Sequence, residues 1–293
     1  MNRPSVDLLK RLAGARGLAM RPAPASGWFT ASDSVTLHFL DWPGGPETLV
    51  LLHGGALSAH TFDLLALALT ERVRCVALDL RGHGLSGWSE AYRIERGAAD
   101  VVELADHLGV PRLHLAGMSL GGCVAGHAAV GLGARLASLA FIDVGPRVSF
   151  SATANLRRFM AEVDATAPLA DVVRAALAAS PRTDPDLMLY RYQALLRPDG
   201  GWRADRRRPS DYAHILGRLA ELCALAPRIA CPTLVIKGGR SQVLTEGDVR
   251  AFAARFPRGG WALVPDAGHN VQEDRPAALA AELRKLIQPR RPS

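Results

Sequence analysis

No apolar run in the 293-residue chain reaches the roughly 20 residues a helix needs to cross a bilayer, so no membrane association is expected. The first 26 residues, MNRPSVDLLKRLAGARGLAMRPAPAS, lack the continuous apolar stretch of a secretory signal. They are rich in arginine and poor in acids, as a transit peptide is, but Asp7 falls inside a stretch with helical spacing. A short helix over 5–13 and a Pro/Ala linker ending at 27 is the expected reading. Lysine is scarce: Lys10, Lys237 and Lys285 are the whole set, although the net charge is +7. The positive charge is therefore arginine, scattered along the chain. Its densest run, Arg206-Arg207-Arg208, lies between Asp205 and Asp211 with no nucleic-acid module beside it, so a solvated face is expected and nucleic-acid binding is not. The four cysteines, Cys75, Cys123, Cys223 and Cys231, show no Cys-x-x-Cys spacing, and the nine histidines no His-x-x-x-His pair. That argues against a disulfide framework and against zinc, and for free thiols in a reducing, cytoplasmic compartment.

What is present is the composition of a soluble globular chain, 48% hydrophobic and 22% charged, long enough for one large core with a modest insert. Short apolar runs predict strands near 34–41, 48–53, 73–79, 112–117, 138–144, 232–237 and 260–265. Most are near-continuous rather than alternating, as strands covered on both faces should be. Helical spacing falls between them, near 61–71, 92–109, 120–132, 245–256 and 274–288. Such alternation predicts an α/β fold with a mostly parallel, doubly wound sheet. From Gly145 to Arg228 there is no strand pattern, only helix-like stretches near 152–164, 168–179, 184–196 and 211–225. An interval of that length is too long for a crossover. It predicts a helical cap over 147–227, set into a core formed by 28–146 and 228–293.

Three local patterns carry chemistry. Gly117-Met118-Ser119-Leu120-Gly121 joins a predicted strand to a predicted helix, the setting in which a strained turn exposes a nucleophilic serine. His53-Gly54-Gly55 ends a strong apolar strand, where a glycine turn can aim a backbone N–H into the site. The N–H groups of Gly55 and Leu120 are the expected oxyanion donors, and His53 itself is expected to be structural. His269, in the small-residue loop LVPDAGHN (263–270) after the last predicted strand, is the expected base, because a serine needs an adjacent imidazole to attack at neutral pH. The other histidines fall in turns, on helix faces or in core-like segments.

Over residues 35–288 these motifs, together with DLRGHGLS (79–86), resemble the α/β-hydrolase fold superfamily of serine hydrolases. The resemblance implies the family's sheet, with the cap inserted between its strands 6 and 7, and a Ser-His-acid mechanism without metal or organic cofactor. The family's usual acid stands in Gly-x-x-Asp after the penultimate strand, and counting from Gly238 this chain has Ser241 there. Four carboxylates are candidates for the role. Glu246 and Asp248 fall at a helix start, where acids serve the dipole. Asp266 reads as a turn former. Asp143 ends an apolar strand, where an unpaired charge is costly. A minority branch of the superfamily takes its acid from this strand, in the pattern Ile-Asp-x-x-Pro, with a serine in the usual acid loop; it includes bacterial carboxylesterases, and 2-(acetamidomethylene)succinate hydrolase is similar. Ile142-Asp143 with Pro146, and then Ser241, match that pattern. The implied constellation is Ser119, His269 and Asp143, assisted by Ser241.

The expected reaction is hydrolysis of an ester, lactone or amide of a small molecule bound under the cap, through an acyl-enzyme. Ser119 argues against the family's epoxide hydrolases and dehalogenases, which use a carboxylate nucleophile. Carbon–carbon bond hydrolases share the triad and are the alternative, as are cofactor-free haloperoxidases by side activity. A non-catalytic binding protein on the same fold is a further alternative. Arg157, Arg158, Arg182, Arg191 and Arg197 in the cap suit an anionic substrate group.

Overall fold

The computed structural model describes residues 4–69, 71–90, 92–149, 167–196 and 212–287. The helix expected near 152–164, and with it Arg157, Arg158, Arg197 and the Arg206–Arg208 run, lies outside them.

Strands β1 (Ala25–Thr30), β2 (Thr36–Leu52), β3 (Val73–Leu78), β4 (Leu113–Met118), β5 (Leu136–Ile142), β6 (Thr233–Gly238) and β7 (Gly259–Val264) form one sheet in the order β1-β2-β4-β5-β6-β7, with β3 paired to β2. From β2 to β7 the β2·β4, β4·β5, β5·β6 and β6·β7 pairs are all parallel. The strands expected at 34–41 and 48–53 are one element. β2 bends at Gly44-Gly45, where a Cβ would lie about 2.1–2.2 Å from the carbonyl oxygens of Val73 and Arg72. Its two arms clasp β3: Phe39 stands opposite Leu78 and Trp42 opposite Cys75, while Thr48 stands opposite Arg74 and Leu52 opposite Leu78. β1 went unforeseen in the sequence. It is a half-exposed edge strand, antiparallel to the first arm of β2, and has too little apolar content to read as buried.

Successive residues of a strand face opposite sides of the sheet, so each central strand feeds two cores. Leu115 and Phe141 pack on one side with α3 (Ile94–His107), α4 (Leu120–Leu132) and α8 (Glu246–Ala253), through Val101, Leu104, Cys123 and Phe252. Ala116 and Ile142 pack on the other with α1 (Val6–Gly14), α2 (Asp63–Leu69) and α10 (Pro276–Ile287), through Leu8, Leu12, Leu65 and Leu283. Each fully buried side chain of this size contributes roughly 1.5–3 kcal/mol. The N-terminal helix is thus part of the core. Ser5 caps it by accepting from the Leu8 N–H.

Between β5 and β6 the chain forms α5 (Leu169–Ala179), α6 (Pro185–Leu195) and α7 (Tyr212–Leu225). α5 and α6 share a small cluster of their own, including Val172, Ala176, Met188 and Tyr192. They are also tied to the body of the protein. Leu187 and Tyr190 of α6 reach the core beside α1 and α2, and Leu219 and Leu222 of α7 reach the core beside α4.

Candidate active site

Parallel pairing in register brings the ends of β2, β4, β5 and β6 to one edge. Leu52 stands opposite Gly117, Met118 opposite Ile142, and Ile142 opposite Ile236. The residues that follow, His53, Ser119 and Asp143, therefore leave the sheet side by side, where ligands bind in open parallel sheets. Five non-glycine residues among those described have positive φ; Ala56 (61°), Ser119 (51°) and Asp143 (50°) lie in these loops, and Asp266 (56°) lies in the loop after β7 that carries His269. Each such residue costs on the order of 1–3 kcal/mol, so the surrounding structure must enforce it.

At Ser119 the enforcing contacts are visible. A Cβ on Gly117 would lie 2.2 Å from the Gly121 oxygen, and one on Gly121 would lie 2.1 Å from the Leu52 oxygen. Only glycines let α4 begin this close to the sheet. The Ser119 N–H donates to the Ile142 carbonyl at 3.2 Å, fixing the turn to β5. Gly54 lies against the serine turn, since its Cβ would meet Met118 Sδ at 2.6 Å and Ser119 Cβ at 3.3 Å. Gly55 faces Leu120, whose Cδ2 would be 3.9 Å away.

Asp143, Ser241 and His269 are brought together from three loops. Asp143 Oδ2 lies 2.7 Å from His269 Nδ1 and accepts from the Ser241 hydroxyl at 2.5 Å, while Oδ1 accepts the Gly238 N–H at 3.0 Å. The carboxylate is fully buried, and the His269 side chain keeps 24% of its exposure. A polar group buried this completely is costly unless it is hydrogen-bonded, and these three contacts meet that need. The remaining candidate acids have other partners. Asp248 forms a capping box with Thr245 at the start of α8, Glu246 pairs with Arg250 at 3.3 Å, and Asp266 is an exposed partner of Arg275 at 3.4 Å.

Sequence reasoning missed Lys237 and Asp79, which brace these loops, and expected the structural role that His53 has. Lys237, buried at the end of β6, donates to the carbonyls of Gly238 and Ser241 at 2.7 and 2.8 Å and so closes the loop that carries Ser241. A lysine ending an apolar strand was the available signal. Asp79, opening DLRGHGLS, accepts from the Ala59 and Leu85 N–H groups and from His38 Nδ1. Burial would raise its pKa, but these bonds and the nearby imidazoles hold it well below the usual carboxylate range. His53 Nε2 accepts the Leu80 N–H at 3.0 Å, so its proton sits on Nδ1, donating to the Gly54 carbonyl at 2.7 Å. Complete burial pushes its pKa down, and it stays a neutral strut between the two loops. Arg191 contacts Glu273 instead of standing free for a substrate. A cavity of ≈760 Å³ lined by Arg112, His114 and Arg258 includes none of the residues expected to be catalytic.

The sheet, the strained serine turn and the glycine loop define an α/β hydrolase. The chain belongs to the alpha/beta hydrolase family, whose model matches residues 49–282, and it is an enzyme of that family, esterase-like by its relatives. It is 29% identical over 268 residues to the esterase Rv0045c of Mycobacterium tuberculosis, spanning 86% of each chain. It is 28% identical over 289 residues to the 3-hydroxybutyrate-oligomer hydrolase of Cupriavidus necator, spanning 89% of this chain and 97% of that one. The crystal structure of esterase Rv0045c matches with a TM-score of 0.76 at 26% identity over 96% of both chains. That of E-2-(acetamidomethylene)succinate hydrolase shares the fold, with a TM-score of 0.74 at 24% identity over 90% of this chain and 99% of that one.

Proposed function

We propose that the protein is a serine esterase that cleaves a small carboxylic ester, or a related lactone or amide, through an acyl-enzyme. Ser119 is the nucleophile, His269 the base, Asp143 the acid, and Ser241 a hydrogen-bond partner of that acid. The observation that carries the reading is the shared oxygen of Asp143, in contact with both His269 Nδ1 and the Ser241 hydroxyl. An anion on Nδ1 holds the imidazole in the tautomer that leaves Nε2 free to take the serine proton, and it stabilises the imidazolium that results. The attacked carbonyl becomes an oxyanion, and the N–H groups of Gly55 and Leu120 are the donors proposed for it, each worth roughly 3–4 kcal/mol. His269 then protonates the leaving group, and water repeats the attack on the acyl-enzyme.

The esterase among the relatives supports an ester substrate. The insert over 147–227 is proposed as a cap that roofs the site, with α6 docked beside it. The test is release of nitrophenol from short-chain nitrophenyl esters, together with fluorophosphonate labelling of wild type and Ser119→Ala. Labelling at Ser119 with ester turnover is expected. A folded wild type that does neither is a binding protein, and the reading fails.

A further inference from the structure

Seven polar side chains outside the proposed triad meet at the junction of three segments: α6, the 3₁₀ turn Ala59–Phe62 with the start of α2, and the short helix α9 (Val271–Asp274). Arg191 of α6 forms an ion pair with Glu273 of α9, the two side chains being 13% and 4% exposed. Glu273 Oε1 accepts from the Thr61 hydroxyl at 2.7 Å, and Thr61 accepts from Gln272 Nε2 at 2.9 Å. Beside them, Asp63 accepts from the Tyr190 hydroxyl and lies 2.7 Å from His60 Nδ1. One helix of the insert is thus tied both to the turn that follows the glycine loop and to the helix that follows His269. The connection runs on toward the base, because Asp274 of α9 accepts the N–H of Gly268 at 2.7 Å, next to His269. On the other side the Ala59 N–H is held by Asp79.

Stability alone is a poor account of this network. Asp63 Oδ1, Arg191 Nε and Gln272 Oε1 are buried without a hydrogen-bond partner among the described residues. Buried ion pairs of incomplete satisfaction are often no more stabilising than apolar replacements of similar size, and the best-attested use of such groups is to fix register. We propose that Arg191 and Glu273 are positioning residues: by docking α6 onto α9 and Thr61 they set the loops carrying His269 and the Gly54-Gly55 turn, so that the insert assembles the catalytic site as well as covering it. This rests on the Ser119–His269–Asp143 reading.

The test compares wild type, Arg191→Lys, Thr61→Val and the double variant Arg191→Leu/Glu273→Gln, which removes both charges and leaves Thr61 an amide oxygen to donate to. Each is assayed for kcat and KM on a short-chain nitrophenyl ester and for the rate of fluorophosphonate labelling at Ser119, with circular dichroism and melting to verify the fold. A small misplacement of reacting groups costs up to about a hundredfold in rate. The double variant is expected to lose about tenfold or more in kcat and in labelling rate, with KM changed far less, and Arg191→Lys to recover part of that loss. Thr61→Val keeps every charge paired and should lose kcat in the same direction, which keeps the proposal testable if the double variant does not fold. Wild-type kcat in folded variants, or a change confined to KM, would overturn the positioning role. A wild type that is not labelled at Ser119 would instead overturn the reading on which it rests.

Discussion

The hydroxyl of Ser241 donates to Asp143 Oδ2 across 2.5 Å, and the two residues are 98 positions apart in the chain. The oxygen that receives this bond is the one facing His269 Nδ1. Ser241 thereby helps to orient a carboxylate supplied by the neighbouring strand.

If Asp143 is the acid, Asp143→Asn should lower kcat by roughly four orders of magnitude, because an amide no longer dictates the imidazole tautomer. Asp248→Asn and Asp266→Asn should keep most activity, since one belongs to a helix cap and the other to an exposed ion pair. Steady-state ester hydrolysis by the three variants decides among them, and a crippled Asp248 or Asp266 variant overturns the assignment.

Ser241→Ala removes one of three hydrogen bonds to the carboxylate and leaves the Gly238 N–H in place. A bond to a charged acceptor is worth about 1.5–3 kcal/mol, so a loss of roughly ten- to a hundredfold in kcat is expected, far milder than at Asp143. A variant as impaired as Asp143→Asn would show instead that the serine takes part in proton transfer.

The Asp79 brace should make stability depend on acid pH. Its folded pKa lies below the ordinary 3.8, so its contribution is complete above that value and drains away as pH falls through the lower, folded one. Asp79→Asn should cost on the order of 2–4 kcal/mol at pH 7. The gap in melting temperature between wild type and variant should narrow below about pH 4. A gap that stays constant down to pH 2 would contradict the role.

Cys75 and Cys123 are fully buried, and burial pushes both thiols up to about 12. Native protein at pH 7.5 should therefore leave both unmodified by a maleimide, with any reaction confined to the partly exposed Cys223 and Cys231. In denaturant all four should react. Peptide mapping distinguishes the two states.

Much of the fold was legible because its signals are local. Leu113–Met118 and Leu136–Ile142 are apolar runs bounded by turn residues, and the helix expected over 120–132 is α4 at Leu120–Leu132. Ser119 and the glycine turn after His53 were legible for the same reason, since a strained turn needs glycines at fixed offsets. The edge strand β1 was not, because half its residues face solvent and its partner is chosen by the hairpin. Nor was the continuity of β2, which depends on β3 lying between its arms.

By itself, then, the sequence determined the strained serine turn and the loop histidine, each a matter of spacing within a dozen residues, and the parallel sheet through its alternation of strand and helix patterns. Tertiary structure decided which carboxylate faces that histidine, and that Arg191 faces Glu273. Asp143 and His269 are 126 residues apart and meet because β5, β6 and β7 are hydrogen-bonded neighbours whose ends share one edge. A strand's own residues specify how it is buried. The partners it brings within hydrogen-bonding distance depend on the order of the whole sheet.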